Sequence, residues 1–265
     1  MKQVLSNNQI VVQLDRVDKV FGSDENCRVA LDSVSFIGRR GELSLILGPS
    51  GSGKTTFLTV AAGLQPPSNG CVLLFGHSIE NLTSAEFQKW RAQRLGFIFQ
   101  DFRLIESLTV FQNIKLVLKF GGWNRVASSR RIEQLLCQYE VEYLQDRYPR
   151  DLSQGEKQRV AIIRAVANGG ELIFADEPTA CLDTKQGEIA IRQLAQCARD
   201  EKACVIVVSH DIRLKDYADR VYYLQDGSLA EIPRTKSLCP SNEQFRALNG
   251  TSILHGCSRR KEQRL

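Results

Sequence analysis

Residues 48–55 read GPSGSGKT, directly after ELSLIL and directly before the apolar run TFLTVAAGL. This spacing satisfies G-x-x-x-x-G-K-[ST] in a strand, loop, helix context. Glycines there let the backbone curl around a polyphosphate so that successive N–H groups point inward. Lys54 can then reach the β and γ phosphates, and Thr55 can ligate magnesium. Gly48, Pro49, Ser50, Gly51, Ser52, Gly53, Lys54, Thr55 and Thr56 are accordingly the expected phosphate cradle. A second stretch, LIFADEP at 172–178, is an apolar strand ending in two carboxylates. At a strand end beside a phosphate loop, Asp176 is expected to hold the magnesium shell, and Glu177 to polarise a water for in-line attack on the γ phosphate. A third, DLSQGEKQR at 151–159, precedes the helical pattern VAIIRAVAN. A serine and a glycine at a helix start leave unpaired N–H groups pointing outward, which is the chemistry of another anion site.

These residues need elements to position them. Short β-type runs appear at IVVQLDRV, VALDSVSF, ELSLIL, CVLLFG, LGFIF, ELIFAD, CVIVVS and RVYYLQ. Thr83 followed by Glu86 predicts a capping box before AEFQKWRAQ, and Asp183 followed by Gln186 predicts another before GEIAIRQLAQ. The later alternation of strand and helix points to an α/β sandwich with parallel strands, whereas the closely spaced N-terminal strands read as an antiparallel sheet. About 70 residues between LGFIF and ELIFAD hold no convincing strand but carry helical patterns such as TVFQNIKLVLKF and SRRIEQLLCQY, and so read as an inserted helical subdomain.

Composition narrows the function classes. The 265 residues are 43% hydrophobic and 25% charged, ordinary for a globular chain with a sizeable core. The net charge of +5 comes entirely from residue 232 onward, where seven basic residues face two acidic ones. A nucleic-acid-binding core is therefore disfavoured, while the tail reads as a solvated end or a contact for anionic lipid. Eight cysteines show no CxxC pair, so no zinc site is expected, and they read as small apolar residues in a reducing compartment. No apolar stretch approaches the ~18 to 20 residues of a membrane span, and the N-terminus lacks the apolar block of a signal peptide. The expectation is a cytosolic protein whose membrane role comes through a partner.

The phosphate loop, the carboxylate pair and LSQGE between them resemble the ATP-binding subunits of ABC transporters, over residues 10 to about 231. The resemblance implies an α/β P-loop NTPase core of the ABC ATPase type, with an N-terminal antiparallel β-subdomain and an inserted helical subdomain at about 101–168. A basic tail, 232–265, follows the domain at 1–231. ATP and Mg2+ are the implied cofactors. Gln100 in GFIFQDF matches the glutamine that contacts the metal and the reacting centre, and His210 in VVSHD matches the switch histidine. Asp183 in ACLD matches the D-loop, and Phe21 in KVFG the aromatic that stacks on adenine. Ser153 and Gly155 match the signature residues that meet the γ phosphate of ATP held by a second, head-to-tail subunit. Two positions depart from the pattern: Gln154 stands for glycine and Glu156 for glutamine. A carboxylate so near a triphosphate repels it unless the side chain points away.

The wording around LGFIFQDFRLIESLTVFQNIKLVL is similar to the group that exports lipids, lipoproteins, macrolides or peptides through a separate membrane subunit, at the cytoplasmic face of the membrane. Phe102, Leu104 and Ile105 are then expected to line the groove for that permease. The alternative within the family is a non-transport ATPase of the cell-division type. A soluble ABC ATPase acting on ribosomes or DNA would ordinarily carry a second nucleotide domain, a long coiled coil or a zinc module.

Overall fold

The computed structural model describes residues 9–22 and 26–233. The basic residues from Arg234 to Arg264, with Cys239, Cys257 and His255, lie outside the described residues. Two sheets organise the chain. The first is antiparallel and runs β2-β1-β4-β5, from β1 (Ile10–Phe21), β2 (Arg28–Arg39), β4 (Asn69–Leu74) and β5 (His77–Ser78). The second runs β10-β9-β3-β8-β7-β6, from β3 (Leu43–Leu47), β6 (Leu95–Ile98), β7 (Leu172–Asp176), β8 (Cys204–Ser209), β9 (Arg220–Gln225) and β10 (Ser228–Ile232). Its strands are parallel except β10, which pairs antiparallel with β9.

The apolar runs of β3, β7 and β8 are nearly continuous because this sheet is covered on both faces. Ile173, Ala175, Val205 and Val207 point to one core with helices α3 (Val110–Phe120), α4 (Arg125–Gln138), α5 (Gln154–Val166) and α6 (Thr184–Asp200). Their neighbours Leu172, Phe174, Ile206 and Val208 point to a second core with the antiparallel sheet and α1 (Lys54–Ala61). Remaining helix α2 (Ser84–Arg94) opens on the predicted capping box, in which Thr83 and Glu86 satisfy each other's backbone N–H. Before α6 only half of the predicted box forms: Asp183 accepts from Gln186 N at 2.8 Å, with no return bond from the Gln186 side chain.

Strands β5 and β10 escape the sequence reading, although each follows a two-residue turn. Phe75-Gly76 and Asp226-Gly227 have φ of 51° and 81°, and 49° and 81°, the left-handed pair that a type I′ hairpin requires. The Asp-Gly dipeptide was the readable signal for the second. Ile232 of β10 still pairs with Val221 of β9, one residue past the expected domain end. Of the six described cysteines, Cys197 and Cys204 are buried as expected of small apolar residues, but Cys137 and Cys181 are exposed.

Glu171 ties three segments together. Its carboxylate accepts from Arg94 Nε at 2.6 Å and from Arg40 Nη2, joining the end of α2 and the β2–β3 turn to the start of β7. Burial pushes this carboxyl up, but hydrogen bonds from Arg94 and Arg40, with their charges, outweigh it and hold it below its ordinary value. A carboxylate lowered on folding stabilises the fold above its unfolded pKa, about 4.3, and that contribution is lost as pH falls through the lower folded value. Glu171→Gln should therefore lower the melting temperature at pH 7 by an amount equivalent to about 1 kcal/mol or less, since the pairs are partly solvated. The gap to the parent should close in melts run progressively below pH 4, and a gap that widens there would contradict this account.

Candidate functional site

Parallel strands put their carboxyl ends on one edge, which is where ligands bind in open α/β sheets. Here β8 lies between β3 and β7, with Leu47 opposite Ser209 and Asp176 opposite Val208. The loop after β3, the carboxylates after β7 and the Ser209-His210 pair after β8 are thereby brought side by side.

The loop at 48–53 is held by close backbone approach. A Cβ on Gly48 would stand 2.2 Å from Leu224 O, and one on Gly53, whose φ is 104°, would stand 2.4 Å from Ala30 O. Only glycine fits either position. The β9–β10 turn supports the loop from behind, since Gly227 N donates to Ser52 O at 3.3 Å and Asp32 N donates to Gly227 O at 2.9 Å. Lys54 is buried, and its Nζ donates to Gly48 O at 2.9 Å and Pro49 O at 3.0 Å. The same ammonium lies 3.7 Å from Glu177 Oε1. A cavity of about 260 Å³ opens between Phe21 and Arg28 on one side and Gly51, Lys54, Thr55 and Thr56 on the other. Phe21 is 40% exposed there, and Arg28 Nη2 donates to Gly51 O at 3.3 Å.

Thr55 Oγ1 donates to Asp176 Oδ2 at 3.1 Å. Burial raises the Asp176 carboxyl above its ordinary value; the Thr55 hydrogen bond opposes this and the Glu177 charge adds to it. Glu177 has φ of 48°, a left-handed conformation that costs a non-glycine residue on the order of 1 kcal/mol or more. That turn aims its carboxylate back over the sheet edge. Oε2 accepts from Ser209 Oγ at 3.1 Å and from His210 N at 3.3 Å, and lies 2.9 Å from His210 Nδ1. Ser209 is fully buried and its hydroxyl also accepts from Asp211 N at 3.1 Å. Sequence reasoning missed Ser209, Arg28 and Gly227, because nothing in their local pattern announces what they touch.

Other predicted residues lie apart from this knot. Among the described residues, no hydrogen bond or ion pair links Ser153, Gly155 or Asp183 to residues 48–56. Ser153 caps α5, Asp183 caps α6, and a Cβ on Gly155 would meet Gln186 Oε1 at 2.6 Å, so the two helix starts adjoin. Gln100 is exposed just beyond β6, its carbonyl 3.5 Å from Cys181 Sγ. Phe102 corrects the expectation of an exposed apolar groove: it is buried in the helical-side core with Leu104 packed beside it, and only Ile105 is exposed. The cause is Arg164 on α5, which donates to Phe102 O at 2.7 Å and to Arg103 O, holding both residues at positive φ and turning the ring inward.

A family model described as ABC transporter matches residues 31–180, more than half of the chain. The chain belongs to the ABC transporter family. It is an ABC ATPase, with the α/β P-loop fold of that family. It is 38% identical over 222 residues to "Putative hemin import ATP-binding protein HrtA" of Staphylococcus haemolyticus, covering 83% of this chain and 99% of that one. Bacitracin export ATP-binding protein BceA of Halalkalibacterium halodurans is 33% identical over 219 residues, 83% of this chain and 87% of its own. The solved dimeric post-hydrolysis state of the ATP-binding cassette MJ0796 of Methanocaldococcus jannaschii, bound to ADP and Pi, superimposes with a TM-score of 0.76 at 36% identity, over 85% of this chain and 100% of that chain.

In this ABC ATPase the LSQGE stretch opens α5 as a capping box. Glu156 Oε2 accepts from Ser153 N at 2.8 Å and Ser153 Oγ at 2.7 Å, while Glu156 N donates to Ser153 Oγ at 3.3 Å. Tyr143 OH donates to Glu156 Oε1 at 3.0 Å. Burial raises this carboxyl, but the Ser153 and Tyr143 hydrogen bonds outweigh it and keep it below its ordinary value. The side chain thus folds back on its own helix start. The S-x-x-E spacing was the readable signal, and Gln154, as the first residue of α5, is not among the residues at positive φ. Glu156→Ala should lower stability by about 1 kcal/mol, as loss of a capping interaction does, measured by urea denaturation; an unchanged midpoint would mean the box contributes nothing.

Proposed function

We propose that this chain is the energy-coupling subunit of an exporter, working as a homodimer on the cytoplasmic face of the membrane beneath a separate permease. The observation that carries the catalytic part is the contact of the half-buried Glu177 with Lys54, Ser209 and His210 at the mouth of the phosphate loop. Lys54 holds the β and γ phosphates of ATP, and the loop N–H groups at 48–56 cradle the chain of phosphates. Phe21 stacks on the adenine across the cavity it shares with Thr56. Glu177 takes the proton from the attacking water, and Ser209 and His210 orient its carboxylate for that task. Gln100, exposed just beyond β6, would supply a further oxygen ligand to the metal and a partner for the water.

Magnesium fits the residues present. Thr55 and Asp176 offer hard oxygen donors within 3.1 Å of each other, and burial leaves the Asp176 carboxylate in need of a cation. When bound, the ion neutralises charge on the phosphates.

Ser153 and Gly155 serve the ATP of a second copy, with Asp183 beside them at the interface. The dimeric state of the MJ0796 cassette supports this. Closure then depends on a γ phosphate lying between two chains, and hydrolysis removes the reason to stay closed. The name of BceA supports export, whereas that of HrtA states import. Flux assays with the co-purifying permease in proteoliposomes decide the direction.

Glu177→Gln should keep ATP binding, slow hydrolysis by on the order of 10²-fold or more, and accumulate a closed dimer in size-exclusion chromatography. Hydrolysis at the parent rate would remove Glu177 from the role of base. Lys54→Ala and Gly155→Asp should each close poorly with ATP. A mixed dimer of the two puts both defects in one site and leaves the other intact, so cross-linking across that site should exceed that of either variant alone. Equal cross-linking, with mixed dimers verified, would refute the shared site.

A further inference from the structure

Where α3 turns into α4, large apolar side chains and basic side chains share one exposed surface. Phe120 is 70% exposed, Val126 79% and Trp123 38%, and all three fall within seven residues. Lys119, Arg125 and Arg130 are interleaved with them and exposed, and none of the three forms an ion pair among the described residues. Residues 110–138, spanning α3 and α4, carry five basic side chains and one acidic.

This exposure is imposed by the fold rather than by fraying. Gly121 N donates to Val117 O at 2.9 Å and Trp123 N to Leu118 O at 3.1 Å, so the corner is closed by its own backbone. Asn124 caps α4 by accepting from Ala127 N at 2.9 Å. Gln93 donates to Gly121 O at 3.2 Å and Asn168 to Val117 O at 2.9 Å, pinning the corner to the domain. The buried faces of the two helices are already supplied by Ile114, Leu118, Ile132, Leu135 and Leu136. Three large apolar side chains are thus held in water by a rigid turn.

We propose that this corner rests directly on an anionic bilayer, with Phe120, Trp123 and Val126 at the boundary of headgroups and acyl chains and Lys119, Arg125 and Arg130 on the lipid phosphates. Aromatic side chains settle at that depth, and basic side chains beside them are drawn by the negative surface potential. A protein partner is the other occupant of such a patch, since aromatic and arginine side chains are enriched at protein interfaces, and binding that needs no anionic lipid would distinguish it. The contact is separate from the nucleotide site and adds a lipid footing to whatever the permease supplies.

Trp90 and Trp123 are the two tryptophans of the chain, so Trp90→Phe in the full-length protein leaves Trp123 as the sole reporter. With vesicles of phosphatidylcholine plus phosphatidylglycerol, Trp123 emission should shift to the blue and be quenched by brominated acyl chains. With phosphatidylcholine alone, or at high salt, neither should occur. Changing Lys119, Arg125 and Arg130 to Gln should weaken vesicle binding by on the order of 5-fold per charge, and Phe120→Ser with Val126→Ser should weaken it further, with ATP hydrolysis unchanged. The proposal is overturned if Trp123 is neither shifted nor quenched. It is equally overturned if the charge variant binds as the parent does, which would assign lipid binding to another surface such as the basic residues 234–264.

Discussion

The position of β8 between β3 and β7 is the constraint on which the site depends. It sets Ser209 opposite the end of β3 and one residue from the carboxylates of β7, so a buried hydroxyl stands where Glu177 needs a donor. Lys54 closes the arrangement from the other side, shared between loop carbonyls and Glu177 Oε1. A buried ammonium is costly alone, and the half-buried carboxylate beside it across the strand ends makes it tolerable. The positive φ of Glu177 is strain stored at the point where the two meet.

Support for the phosphate loop comes from a strand pair remote in sequence. Leu224 O fills the space that a side chain at position 48 would take, and Gly227 N bonds Ser52 O. The β9–β10 hairpin therefore shapes the loop at 48–53 through its backbone alone. This is the physical reason for glycine at 48 and 53: the backbone must approach other backbone more closely than any Cβ permits.

Helix α5 joins two regions that chemistry alone would treat separately. Its first residue follows the capping Ser153, and three turns later Arg164 grips the carbonyls of Phe102 and Arg103, just after Gln100. A planar guanidinium can hold two carbonyls at once, and burial makes each bond more valuable. Arg164 thus ties the loop after β6 to the same helix that Ser153 caps.

The sequence by itself determined eight of the ten strands, the phosphate loop, the carboxylate pair and the order of the family elements, because each is written in a local pattern: a glycine spacing, an apolar run ending in charge, a cap followed by a helical period. It also determined the antiparallel and parallel division of the sheets from the spacing of strands. What only the tertiary structure decided are relations between segments distant in the chain. Ser209 and Gly227 matter through contacts across 32 and 175 residues, with Glu177 and Ser52 respectively. Phe102 looked like a surface anchor and is buried because Arg164, 62 residues on, sets its backbone. Glu156 looked like an intruder near phosphate, and its helix start accepts it as a cap. Hydrogen bonds, burial and close approach depend on where segments meet in space, and a one-dimensional pattern carries only the part of that information that repeats locally.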